Sequence, residues 1–185
     1  MAKMANYQGQ YVFRKTDKTM LMWTEEGELG PEFTAKPPPT ADHEWQEQDD
    51  TWILPLNVVK QTLLQNKQLK LDEINCAAQA FVAKTAKLND TPEFEQATWQ
   101  AQAEEAVAWF KDNSTPTPKL DLLASLRGIP PEVLRQKAYE KAQAFYQLSF
   151  AVAGQRQRYE DALKACETLE QVQAVTPEFT LNLED

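Results

Sequence analysis

An α+β fold, mostly α, with a small N-terminal β-hairpin region followed by a long-helix bundle, is what this sequence predicts. Three observations predict it. Aromatic and β-branched residues alternate with polar ones only before Pro55. From Pro55 onward apolar residues recur every three or four positions, the period of an amphipathic helix. Prolines and glycines then stand where helices start and stop. The chain divides accordingly into an aromatic β-hairpin region (1–54), a long connecting helix (55–90), a helical hairpin or bundle (91–176) and an acidic tail (177–185).

The first hairpin is expected from Tyr11-Val12-Phe13-Arg14-Lys15 and Thr19 to Thr24, around the polar turn Thr16-Asp17-Lys18. The second is expected from His43 to Glu47 and Thr51 to Leu54, around Gln48-Asp49-Asp50. Between them Gly27, Gly30-Pro31 and Pro37-Pro38-Pro39 suit an extended connection and not a ladder. Two hairpins alone are marginal in water, so this region needs a further surface to lean on.

Leu63 or Leu64, Lys67, Leu71, Ile74, Ala78, Phe81, Thr85 and Leu88 form one face of the connecting helix. About thirty residues at 1.5 Å each give roughly 45 Å, long enough to extend into an oligomer. Thr91-Pro92 predicts a helix start, with Thr91 as N-cap and Pro92 at the first helical position. That helix places Phe94, Thr98, Ala101, Glu105, Ala108 and Trp109 near one side, with Trp99 and Trp109 read as core. Thr117-Pro118 starts a short helix carrying Leu120, Leu123 and Leu126, which Gly128 stops as a left-handed residue.

The last long helix opens at Pro131 and runs to about Thr168. Its positions Ala138, Phe145, Val152, Tyr159 and Cys166 are spaced by seven, so Ala138, Phe145, Val152 and Tyr159 are candidates for self-association. Lys141, Gln155 and Arg156 at or beside that seam make the repeat impure. Gly154 is expected to mark a close helix crossing or a small bend. Thr168 to Gln171 fits a capping box for a last turn.

The 185 residues, 42% of them hydrophobic, suffice for a real core. A net charge of −9 argues against nucleic acid or an anionic membrane as partner. No apolar run approaches a membrane span, and Met1 to Met20 does not read as a signal peptide, so cytoplasmic residence is expected. Cys76 and Cys166 lie in Ala-rich helical patterns and read as small buried apolar residues. His43 is the single histidine, the three serines lie outside any nucleophile motif, and the five glycines are scattered. Glu104-Glu105 and Asp49-Asp50 read as solvated faces or turns. No enzyme activity, no cofactor and no metal are expected.

Trp23, Trp45 and Trp52 fall on the predicted strands, with Tyr11 and Phe13 beside them. They read either as the small core of the β region or as an exposed platform that binds a partner, a sugar ring included. A patch with open strand edges also suits strand addition by a partner. Arg156, Arg158 and Lys164 read as a solvated face, with Arg156 paired to Glu160 one turn on.

The words Phe94 to Gln102, Glu105-Ala106, Asn113-Ser114-Thr115-Pro116-Thr117-Pro118 and Arg127-Gly128-Ile129 resemble the helical part of tailed-phage and prophage tail fibre assembly (tail accessory) proteins. Lys137, Lys141-Ala142, Tyr146, Gly154-Gln155-Arg156-Gln157 and Glu160 to Leu163 continue the resemblance, which covers roughly residues 92–166. It implies a phage tail fibre protein as partner, bound by a chaperone that leaves or by a subunit that stays in the virion and contacts the baseplate. It implies assembly in the host cytoplasm and carries over no catalytic residue. Trp23, Trp45, Trp52, Tyr11 and Phe13 are the candidate partner-binding residues. A structural virion subunit and a carbohydrate-binding module remain as alternatives.

Overall fold

The computed structural model describes residues 5–181, and the chain forms two compact units, Met1–Gln65 and Asn66–Asp185. The first holds five short strands: β1 (Tyr11–Arg14), β2 (Met20–Met22), β3 (Phe33–Thr34), β4 (Glu44–Gln46) and β5 (Thr51–Ile53). Helix α1 (Leu56–Thr85) begins in this unit and continues into the second, which adds a short 3-10 turn (Leu88–Asp90), α2 (Glu93–Lys111), α3 (Pro118–Arg127), α4 (Pro131–Ala165) and α5 (Leu169–Ala174). The protein is α+β and mostly α.

In the first unit β1 lies at the centre of an antiparallel sheet of order β2-β1-β3, and β4 pairs with β5 in a separate ribbon. Both expected hairpins are present. The third strand was not expected: Phe33–Thr34 pairs with Phe13 and Arg14 between the prolines that argued against a ladder there. Two residues between Pro31 and Pro37 are enough to bond an edge without using either proline. Lys18, with φ of 64°, supplies the left-handed residue the first hairpin turn needs, and Asp17 accepts the Thr19 N–H at 3.0 Å across that turn. At the other end Gly9, with φ of 80°, donates to Trp23 O at 2.8 Å while Trp23 N donates to Gln10 O at 2.9 Å. Two residues there oppose one, a bulge that needs glycine at its first position.

The second unit is organised around α4. Its N-terminal half packs with α2 and α3 on a core of Ala106, Leu120, Ala124 and Leu134, joined by Ala138 and Tyr139. Its C-terminal half packs on α1 through Ala78, Leu148 and Val152, joined by Phe81, Val82 and Phe179. Ile74 and Ala78 are the buried residues of α1, both on the face its periodicity predicted.

Helix starts follow the punctuation, with two changes of detail. Pro92 itself is the N-cap and α2 begins at Glu93, so the start lies one residue later than the Thr91 cap predicted. Gln96 reaches back to the carbonyls of Leu88 and Thr91 at 2.8 and 2.7 Å and holds that turn. Thr117 is the N-cap of α3 by position, yet its side chain does not cap. Glu105 of α2 accepts the Lys119 and Leu120 N–H groups at 3.0 to 3.2 Å instead. A carboxylate delivered from another helix thus meets two orphan donors and the positive end of the helix dipole. Glu105, half-buried, therefore has a structural role that its reading as part of a solvated face did not include.

Gly128 ends α3 at φ 63° and ψ 35°; its N–H reaches Ser125 O and the Ile129 N–H reaches Ala124 O, both at 3.1 Å. That double bond pattern needs a left-handed residue at Gly128. The capping box at Thr168 and Gln171 is formed on both sides.

Gly154 has nothing within 4 Å of where a Cβ would stand, so no close crossing requires it. Gly154→Ala is expected to raise stability by about 1 kcal/mol through helix propensity and a less flexible unfolded chain. A thermal melt should show the midpoint rising by about 2–4 °C. Cys76 is exposed and Cys166 buried, which corrects the reading of both thiols as core.

Candidate functional site

The three tryptophans expected on strands are drawn inward in the first unit, Trp45 and Trp52 on β4 and β5 and Trp23 just beyond the end of β2. Trp23 is buried with its ring edge-on to Phe33 at 5.2 Å. Trp52 is buried too; its ring meets Trp45 edge-on at 5.2 Å, and its Nε1–H donates to the Lys36 carbonyl at 2.8 Å. Trp45 is half-buried, and its ring carries the Lys15 ammonium at 4.8 Å and that of Lys36 at 5.8 Å. Lys15 is held by Glu47 at 3.1 Å, and Lys36 is held by Asp50 at 2.7 Å. Each lysine thus pairs with an acid of the β4–β5 hairpin while lying over an indole of the same hairpin. In this conformation Trp23 and Trp52 present no ring face to a partner. Together with Val12 they form the small core of this unit.

What remains outward is a different set. The register Tyr11 opposite Met22 and Phe13 opposite Met20 puts these four side chains on one face of β1 and β2. Tyr11 is 58%, Met20 57% and Met22 52% exposed, while Phe13 is half-buried on the same face. The opposite face carries Val12, which is fully buried. Tyr11 and Phe13 are two of the residues the sequence marks as candidates for partner binding. Met20 and Met22 were missed, although strict alternation in Thr19-Met20-Leu21-Met22-Trp23 already separates them from Leu21 and Trp23.

The candidate self-association residues of α4 fare differently. Ala138 packs on the core shared by α2, α3 and α4, and Val152 is buried against α1. Tyr159 Oη accepts the Glu178 N–H and meets the Glu178 carbonyl, both at 3.0 Å, and its ring lies 5.8 Å from that of Phe179. Phe145, 40% exposed, is the one of the four left open. The seven-residue series is largely consumed inside the chain.

The segment after α5 is similarly engaged. Gln155 donates to the Thr180 carbonyl at 2.7 Å and accepts the Thr180 N–H at 3.1 Å, while Phe179 sits against Phe81. The described part of the predicted tail is therefore bound along α4, and residues 182–185 lie outside the described residues. Arg156 pairs with Glu160 at 2.6 Å, as the spacing implied, and also donates to Asn75 of α1 at 3.2 Å. Hydrogen bonds from Lys164 and then Arg156 hold the Glu160 carboxyl below its ordinary range.

No cluster of three or more metal-ligating side chains occurs among the described residues, and none of their helices is long and apolar enough to cross a membrane.

Fold and surface together define a mostly helical protein whose β unit presents an apolar sheet face. A family model described as the HI1402 helical domain matches residues 140–177, about a fifth of the chain, which covers most of α4, all of α5 and the start of the bound segment. No curated protein and no solved structure matches the chain.

Proposed function

We propose that this chain is a non-enzymatic tail fibre assembly protein of a tailed phage or prophage, which binds a trimeric fibre and assists its folding or attachment. It acts in the host cytoplasm during assembly. The sequence resemblance over roughly residues 92–166 supports the class. The observation that carries the docking role is the outward face of Tyr11, Phe13, Met20 and Met22, four adjacent large apolar side chains on one short sheet. Methionine and tyrosine suit such a surface, one through adaptability and the other through rigid amphipathic area. The helical unit is the scaffold.

Co-expression with a trimeric phage tail fibre protein as candidate partner tests this reading. The fibre is expected to become soluble and trimeric only with this chain present. The Tyr11→Ser/Met22→Ser variant should weaken fibre binding about tenfold, the share of two exposed apolar contacts. A fibre equally soluble and trimeric without this chain would sink the proposal.

Phe94, Leu126 and Phe150, each more than three-quarters exposed on the helices, favour a second reading. In it the chain is a self-associating virion subunit between fibre and baseplate, and stoichiometric presence in purified particles would select it over a chaperone that leaves.

A further inference from the structure

The hydrogen-bond phase of the first hairpin decides which edge of β2 is open. Arg14 N donates to Thr19 O and Trp23 N to Gln10 O, both at 2.9 Å. Antiparallel strands alternate bonded and non-bonded pairs, so Val12 and Leu21, halfway between, form the bonded pair. Met20 and Met22 then turn their N–H and C=O groups away from β1. β2 is an edge strand, and these groups have no partner among the described residues. The usual guards of an edge, a proline or an inward charge, are missing from Met20-Leu21-Met22. β4, by contrast, carries Glu44 and Gln46.

Just beyond β2 the chain lines a cleft of about 520 Å³ that shares Leu21 and Met22 with the strand and carries Glu25, Glu28 and Glu32. None of these three carboxylates forms an ion pair among the described residues. Residues 1–54 hold ten acidic against five basic residues, so a second copy of this unit would meet like charge.

We infer that β2 is a strand-addition site for an extended, basic segment of a partner protein. Its backbone pairs with Met20 and Met22, its apolar side chains lie on the Tyr11 and Met22 face, and its lysines or arginines meet Glu25, Glu28 and Glu32. This deepens the docking reading above and rests on it.

The test uses the full chain, labelled with ¹⁵N, and a short synthetic peptide of alternating lysine and valine. The Met20 and Met22 amides are expected to shift and to gain about tenfold or more in exchange protection. N-methylation of alternate peptide residues, which needs no variant to fold, should weaken binding about tenfold, and Met22→Pro, which removes an outward N–H together with the Met22 side chain, should weaken it by at least as much. Replacing Glu25, Glu28 and Glu32 together by glutamine should weaken it by a similar factor and flatten its salt dependence. Binding unaffected by N-methylation, shifts confined to β4 and β5, or self-association through β2 would each overturn the inference. In the fibre assay, binding that survives Met22→Pro but is weakened by Tyr11→Ser refutes strand addition while leaving the docking reading intact. A fibre that never binds refutes the docking reading, whatever the peptide does.

Discussion

Leu120→Ala is expected to lower the stability of the helical unit by about 3 kcal/mol, within the range for a fully buried leucine. Leu120 is completely inaccessible, and its neighbours in the core are Ala106 of α2, Ala124 of α3 and Leu134 of α4. Two of those three are alanines, which have no flexible side chain to swing into the space. The cavity therefore persists, and its penalty adds to the lost transfer free energy. Urea unfolding followed by helical circular dichroism measures the change, and the thermal midpoint should fall by about 10 °C. Leu122→Ala, two residues along the same helix and 62% exposed, is the control and should change stability by less than about 0.5 kcal/mol. Equal effects at the two positions would show that the α2–α3–α4 core is not what holds this unit.

Arg135→Met is expected to destabilise by about 2 kcal/mol, although it keeps most of the apolar stem. The guanidinium donates from Nε to Thr117 Oγ1 at 2.7 Å and from one terminal nitrogen to Asp121 Oδ1 at 2.6 Å. It also lies over the Trp109 ring at 5.5 Å, so one side chain of α4 ties together α3 and α2. The full penalty of breaking a buried ion pair does not apply, because the Asp121 side chain is 43% exposed and water recovers part of the loss. Thr117, only 1% exposed, keeps one bond by donating to Asp121 at 2.9 Å. Arg135→Met combined with Asp121→Asn should show a coupling of about 1 kcal/mol, and additive losses would mean the pair is not an interacting unit.

Several of these roles were readable in the chain and others were not. Gly128 and the Thr168 to Gln171 box were legible because their geometry is local: a left-handed residue and a reciprocal cap depend only on near neighbours. The Arg156–Glu160 pair was legible for the same reason, one helical turn being a fixed distance. Glu105 was not. Its partners Lys119 and Leu120 lie about fourteen residues away across a turn, and only the packing of α3 on α2 brings its carboxylate to the start of α3. Gln155 looked like a blemish in a heptad seam until the chain folded back to place Thr180 against it.

The docking surface divides in the same way. That aromatic residues cluster before Pro55 was plain, but tryptophan identity does not say which face of a strand is covered. Register does: Tyr11, Phe13, Met20 and Met22 share one side, and burial of Val12, Trp23 and Trp52 fills the interior. The largest rings were consumed first, since a small unit stabilises itself by burying its largest apolar areas. Smaller neighbours were left outside.

By itself the sequence determined which stretches form helices and the two hairpins, the mostly helical α+β class, and the face that α1 buries. Those properties follow from periodicities of two and 3.6 and from residues whose backbone preferences act within a few positions. Tertiary structure alone decided that the α4 seam is spent on α1, on the α2 and α3 core and on residues 178–180, and that the exposed apolar sheet face belongs to Tyr11, Met20 and Met22. The reason is physical: which of several apolar surfaces stays in water depends on contacts between residues far apart in the chain, and local preference carries no record of them.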